Sequence, residues 1–303
     1  MDRIIDLHNH LETLPHWASF RSKLQGHVYS LEGHIKEDTQ VILGVAMYIQ
    51  IYQGFDELLV QIKNLKKEIA RFGNQVRLIT RKEDLSGDFK VGIILHLESA
   101  RILTNYQTQL IELYDLGIRG IIPIHFKDNF IGNSCDDPLR RLKIKSADQG
   151  MSEEGYRLID KMNSLGMWAD LSHTMDVTAE QMLKMANEVM VSHVAIRDLV
   201  PRMRNKPISF LKDVAKKGGI FGLTPWQHLI GNSEKSYGET LKYILDQGLE
   251  NAICIGTDLG APIKTHLRLK SAFDCATQAQ SFSASQKIIW DNAFNFYHRV
   301  LPS

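Results

Sequence analysis

The chain has little cysteine, little net charge and no long hydrophobic run, and each shortage excludes something. Three cysteines among 303 residues, Cys135, Cys254 and Cys275, are odd in number and far apart. They argue against a disulfide framework and fit a reducing cytoplasm. A formal net charge of +1 gives no bulk electrostatic attraction to nucleic acid or to a membrane surface. No apolar stretch is long enough to span a bilayer as a helix. The chain enters its first apolar segment directly after Met1-Asp2-Arg3, which predicts no signal peptide. There is no tandem repeat, low-complexity tract or long linker. No G-x-G-x-x-G or P-loop sequence follows any apolar run, which argues against a nucleotide site.

What is present is alternation. Eight short apolar runs predict strands at Arg3–Leu7, Val41–Ile49, Val91–Leu97, Ile118–His125, Met167–Ser172, Val189–Ser192, Gly219–Leu223 and Ala252–Thr257. Several are continuous Ile, Val and Leu, as parallel strands buried on both faces require. Helical periodicity fills intervals between them. Gly54–Phe72 places Leu58, Leu59, Ile62, Leu65, Ile69 and Phe72 on one face. Asn105–Leu116 and Ser152–Leu165 behave alike, with Ser152 as the expected N-cap and Gly117 and Gly166 closing the two helices. Ser285–Leu301 reads as a terminal helix with Ile288, Ile289, Ala293, Phe296 and Val300 facing the core. With 44% hydrophobic and 23% charged residues, the composition supports a sizeable core. The expected fold is α/β: residues 1–303 as a single (β/α)8 TIM barrel of the metal-dependent hydrolase type, with a C-terminal helix. A doubly wound open sheet is the alternative.

Barrel enzymes place their chemistry at the C-terminal ends of the strands. Here those ends carry His8 and His10, Glu98, His125, His173, His193 and Asp258. His8 and His10 are two residues apart, so a strand would project both to one face. A lone histidine after a strand is more often a hydrogen-bonded core or rim residue than a ligand. Six strand ends of eight bearing metal-ligand types would converge on one mouth. Imidazoles and carboxylates hold divalent cations, and such cations lower the pKa of water to about 7. In this reading His8 and His10 hold one metal and His173 and His193 a second. Glu98 bridges, and Asp258 is the acid/base and also a ligand. His96 shares a face with Glu98 and is either a hydrogen-bonded interior residue or a support for the metals. Cys254 reads as barrel core. His16, Trp17 and Trp226-Gln227-His228 fall in expected mouth loops.

These residues resemble the membrane dipeptidase (renal dipeptidase-like) metallopeptidases of the amidohydrolase superfamily. Asp6-Leu7-His8-Asn9-His10 with Leu14-Pro15 is similar to the family's opening Asp-Gly-His-Asn-Asp-Leu-Pro. Leu97-Glu98-Ser99-Ala100 stands where the family has its bridging glutamate. Leu116-Gly117-Ile118-Arg119 through His125 resembles a Leu-Gly-Val-Arg segment leading to Thr-His-Asn. Met162-Asn163-Ser164-Leu165-Gly166 and Asp170-Leu171-Ser172-His173 are close matches, and Gly150-Met151-Ser152 resembles Gly-Leu-Thr. Ser192-His193, Arg204-Asn205, Ile255-Gly256-Thr257-Asp258 and the stretch from Asn292 to Leu301 complete the likeness.

The resemblance implies a peptidase cleaving dipeptide amide bonds with two divalent ions, expected to be Zn2+. It implies that His125 contacts the substrate and stabilises the oxyanion, and that Arg204 holds a substrate carboxylate, a task suited to its forked guanidinium. Taken alone, Arg204 reads as a solvated charge in the basic loop Arg202-Met203-Arg204-Asn205-Lys206. The implied partner is a small dipeptide-like molecule, with no nucleic acid and no membrane; a homodimer is implied by the likeness alone. Two departures stand out. The family's His-x-Asp is His8-x-His10 here, a pattern shared with TatD-like deoxyribonucleases, so a phosphoesterase or another amide or lactone hydrolase is the alternative activity. A metal-binding barrel without catalysis is the remaining one. Leu259-Gly260-Ala261-Pro262 lacks the family's Phe-Asp-Gly continuation. A carboxylated lysine at Lys127 could bridge metals, but Glu98 already fills that role.

Overall fold

The computed structural model describes residues 2–11, 31–36, 39–48, 53–144, 147–231, 234–259 and 282–303. Among the described residues nine parallel strands form the sheet: β1 (Asp2–Asn9), β2 (Thr39–Tyr48), β3 (Val76–Leu78), β4 (Val91–Glu98), β5 (Ile118–Ile122), β6 (Trp168–Asp170), β7 (Val189–Val194), β8 (Ile220–Leu223) and β9 (Ile253–Ile255). Eight of them close a ring, running β1, β2, β4, β5, β6, β7, β8, β9 and back to β1. Each corresponds to one of the eight apolar runs. The ninth, β3, was not expected: Val76-Arg77-Leu78 is too short to show a pattern. It pairs with Val91–Ile93 on the edge of β4 that β5 takes over from Leu95, and so fills the lower gap between those two strands.

Helices α1 (Phe55–Arg71), α2 (Tyr106–Asp115), α3 (Glu153–Ser164), α4 (Asp176–Met185), α5 (Ile208–Lys216) and α6 (Glu234–Asp246) follow strands in turn. The expected face of α1 is buried at Leu58, Ile62, Leu65 and Ile69, with Leu59 and Phe72 half-buried at its margin. Ser152 caps α3 by accepting from the Gly155 amide. Gly117 and Gly166 take left-handed φ angles of +101° and +68° beyond α2 and α3, which a Cβ would strain.

The terminal segment is not one regular helix. A π-helical turn at Lys287–Asp291 separates Phe282–Gln286 from α7 (Asn292–Val300). Ile288, Ile289, Ala293 and Phe296 are buried as expected, and Val300 is half-buried. Phe296 and Tyr297 of α7 meet the indole of Trp168 edge-on, at 6.1 and 5.6 Å between ring centres. They belong to one apolar cluster with Ile42, Ile94, Met190, Ile220 and Cys254, which fills the lower barrel. A second cluster joins Val91, Ile93, Leu95, Val191, Phe221 and Ile253 to the surrounding helices. Cys135 and Cys254 are free, buried thiols. Among the described residues no helix is long and apolar enough to cross a membrane. Leu14, Pro15, His16, Trp17, Ile49, Gly260, Ala261, Pro262 and Cys275 lie outside the described residues.

Candidate metal centre

The two-residue period of a strand puts His8 beside Asp6 on β1, and His96 and Glu98 beside Ile94 on β4. Closure of the ring then brings ligand-type groups from six strand ends into one space. His8 Nε2 lies 3.3 Å from His10 Nε2, 3.6 Å from Glu98 Oε1 and 3.6 Å from Asp258 Oδ1. His10 Nε2 lies 3.6 Å from Glu98 Oε2 and 3.3 Å from Asp258 Oδ1. On the other side, His173 Nε2 is 2.8 Å from His193 Nε2 and 3.9 Å from Glu98 Oε1. Glu98 sits between the two histidine pairs. His125 Nε2 is 3.4 Å from Glu98 Oε1, and its ring packs edge-on against His173. All are buried except His125, which is half-buried.

The donor set fits divalent ions. Ligands about 2.0–2.1 Å from a tetrahedral ion stand roughly 3.3 Å apart, the spacing of His8, His10 and Asp258 here. The outer ring nitrogens are already engaged. His173 Nδ1–H donates to Asp136 Oδ2 at 2.6 Å, which leaves its Nε2 lone pair facing the centre. His193 Nδ1 is 2.9 Å from Ser192 Oγ, and His8 Nδ1 is 3.1 Å from His96 Nε2. Neutral imidazoles are what a cation needs. Burial, then the neighbouring His96, holds His8 well below the usual imidazole range. Burial and Arg204 do so for His173; burial, His8 and Arg204 do so for His193. Burial would lower His10 too, but the Glu98 and Asp258 carboxylates outweigh it and raise it.

The backbone is strained here. Of the five non-glycine residues with left-handed φ among the described residues, His173 (+65°) and Asp258 (+56°) are in the cage. Ser99 (+89°) and Phe126 (+61°) directly follow Glu98 and His125. Such conformations cost about 1–3 kcal/mol each and persist only where neighbours hold them. Asp258 N–H donates to the His8 carbonyl at 2.9 Å, and the Cys135 amide to the His173 carbonyl at 2.9 Å.

The basic loop divides. Arg202 is exposed, whereas Arg204 and Lys206 are buried. Arg204 Nη2 donates to the His193 carbonyl at 3.0 Å and lies 3.2 Å from His173 Nε2. Its Nε and Nη1 are buried with no hydrogen-bond partner, Nε being 3.5 Å from Asp136 Oδ2. Lys206 is fully buried and donates to the Thr174 carbonyl; burial brings its ammonium down to about 8. Lys127 is exposed and takes no part in the cage. His96 is both interior and bonded directly to a cage histidine. Trp226 packs half-buried against the core with His228 5.6 Å away.

Three participants were not singled out from the sequence. Asp136 reaches His173 because the loop after β5 is pinned by Asp128, which accepts from the Ser134 amide and from Arg140; nothing local signals that. Asp6 and Asp170 are fully buried beneath the cage. Asp6 could have been found from its two-residue spacing to His8.

Residues 2–294 match the model of the membrane dipeptidase family, peptidase family M19. An uncharacterised dipeptidase of Schizosaccharomyces pombe is 24% identical over 273 residues, covering 80% of this chain and 64% of that protein. Dipeptidase 3 of Rattus norvegicus is 27% identical over 157 residues, 50% of this chain and 30% of that protein. The matched region thus spans less than two thirds of either relative. Among solved structures, dipeptidase AC, a metallopeptidase, superposes with a TM-score of 0.82 at 17% identity, covering 100% of this chain and 99% of that one. A metallopeptidase of Rhodobacter sphaeroides, liganded with a phosphinate mimic of the dipeptide L-Ala-D-Ala, gives 0.80 at 16% identity with 99% of both chains covered. Both likenesses are to the fold.

Proposed function

This chain belongs to the membrane dipeptidase family, and on that premise we propose that it is a binuclear metal-dependent hydrolase of dipeptide amide bonds. The observation that carries the reading is the convergence of His8, His10, Glu98, His173, His193 and Asp258, with the outer nitrogens of His8, His173 and His193 tied off. His8, His10, Glu98 and Asp258 would hold one ion and His173, His193 and Glu98 the second. Zinc suits this mixture of imidazole and carboxylate. Bound there, two such ions supply Lewis acidity and water of lowered pKa.

The remaining steps fall to the protein's own groups. Asp258 accepts the proton of the attacking water and returns it to the departing amine. His125 donates an N–H to the carbonyl oxygen as that oxygen gains charge. Arg204 holds the substrate carboxylate, since its buried Nη1 lacks a hydrogen-bond partner, its Nε has only the Asp136 carboxylate at 3.5 Å, and such donors are costly to leave unmet. His10 in place of the family's aspartate leaves the first ion site one negative charge short.

The test is amino-acid release from L,L and L,D dipeptides by zinc-reconstituted protein, alongside their C-terminal amides. Turnover abolished by chelation, and at least tenfold poorer for the amides, is expected. Two bound metals without turnover of any dipeptide would keep the cage and discard the substrate, pointing to lactones, other amides or phosphoesters.

A further inference from the structure

The regular ladder between neighbouring strands breaks off just below the cage at two places, and beside β1 backbone pairing resumes only at Asn9 with Leu259. The single β1–β9 pair is Asp6 with Ile255, and the last β6–β7 pair is Asp170 with Met190. At both places a buried carboxylate takes over. Asp6 Oδ1 accepts from the amide two residues on in its own strand, His8 N at 3.3 Å, and from Thr257 N at 2.9 Å. Asp170 Oδ1 accepts from Ser172 N at 3.0 Å and from Ser192 N at 3.1 Å. The offsets are the same: i+2 on the aspartate's strand, and two beyond the paired residue on the neighbour. Ligands follow at once. Asp6 joins the residues that lead to His8, His10 and Asp258; Asp170 joins those that precede His173 and His193, and its carboxylate also lies within 4.8 Å of the His8 and His96 ring nitrogens.

We propose that Asp6 and Asp170 are positioning residues, each fixing one half of the metal cage by joining the two strand ends that carry that half's ligands. The proposal rests on the metal reading above. A carboxylate oxygen that accepts two amides from two strands fixes their separation at the break in the ladder, which on the Asp6 side lies just below the Asp258 N–His8 O and His10 N–Leu259 O bonds. The strained His173 and Asp258 follow the joined amides within one residue.

The two staples differ in one respect. Asp6 uses both oxygens: Oδ2 accepts from Asn9 Nδ2 at 3.2 Å and from the Thr257 hydroxyl at 2.5 Å. Asp170 uses only Oδ1; its Oδ2 is buried without a partner. An asparagine at 170 therefore keeps both amide bonds through its carbonyl oxygen. An asparagine at 6 must turn its NH2 toward two donors.

The test is metal stoichiometry and affinity, by elemental analysis and competitive chelation of the zinc-reconstituted chain. Wild type should hold two zinc ions. Asp6→Ala and Asp170→Ala should each weaken one of the two by about 10–100-fold, the usual cost of losing a group that orients a ligand. Asp170→Asn should restore wild-type affinity, and Asp6→Asn should not. Combined with His10→Ala, Asp6→Ala should cost little more, because both act on one half, whereas Asp170→Ala should weaken the remaining ion. If the alanine variants fail to fold, the asparagine pair decides alone: equal behaviour of the two, whether both retain or both lose metal, overturns the proposal. A wild type that never holds two ions overturns the metal reading and this proposal with it. Two ions in wild type and in every folded variant overturn the proposal only.

Discussion

On β4, Ile94 is followed on the same face by His96 and Glu98; on β6, Trp168 is followed by Asp170; on β7, Met190 by Ser192. The lower positions belong to the apolar plug closed by Phe296 and Tyr297, and the upper ones to the cage or to the groups that brace it. One two-residue step along each strand thus separates stabilising burial from costly burial. Below, each large side chain removed from water contributes about 1.5–3 kcal/mol. Above, the imidazoles of His8, His173 and His193 are held neutral, carboxylates are desolvated and the backbone at His173 and Asp258 is strained. The closed ring lets one end be rigid enough to hold the other in an unfavourable arrangement. The two ends should therefore fail differently when perturbed.

The sharpest separation is Asp258→Asn. Turnover should fall by about 10²–10⁴-fold, the usual worth of a positioned acid/base, with most metal retained and the melting transition little changed. Steady-state kinetics with metal analysis checks this, and unchanged turnover would remove Asp258 from the mechanism. Trp168→Ala does the reverse. Emptying the space against Phe296 and Tyr297 should cost about 3–5 kcal/mol in urea unfolding, with the folded fraction still holding its metal. Loss of metal without loss of stability would mean that the two ends are not separable.

A third perturbation is acid, applied to the chelated protein. Burial brings His96 down to about 3, and His8 and His193 are held low as well. Between about pH 6.5 and the folded values, the unfolded chain binds protons that the folded chain does not. The share of stability from these histidines is then fully present above pH 6.5 and falls as pH falls, by about 1.4 kcal/mol per unit for each such group, whereas Asp6, raised to about 6 by burial, opposes the fall below about pH 6. His34, buried away from the cage and brought down to about 4, adds to the slope; His34→Phe should remove that share and leave the rest. Urea melts at pH 7.5, 6.5 and 5.5 measure the slope, and a flat profile would contradict the neutral cage. The smallest effect belongs to neither end. Ser152→Ala removes the cap of α3 and should cost about 1 kcal/mol of thermal stability without altering metal content.

Much of this was legible in the sequence. Eight parallel strands show as eight apolar runs, several of them continuous because both of their faces are buried, and the helices between them show their 3.6-residue period. The ligand types stand directly after those runs, so a barrel topology suffices to gather His8, His10, Glu98, His173, His193 and Asp258 at one end. β3 escaped notice because three residues carry no period. The π-helical turn at Lys287–Asp291 escaped because its residues continue a helical pattern.

What the chain order alone determined is which groups reach the mouth: strand alternation and closure leave little choice. What only the tertiary structure decided is their state. His173 is oriented by Asp136 from a different loop, His8 by His96 from a strand 88 residues away, and Arg204 is desolvated while its neighbour Arg202 is not. Such states arise from burial and from partners distant in sequence, and neither is written in local spacing. Asp6 and Asp170 stand on the boundary: their identity is plain in the chain, but their joining of strand ends exists only once the barrel has closed.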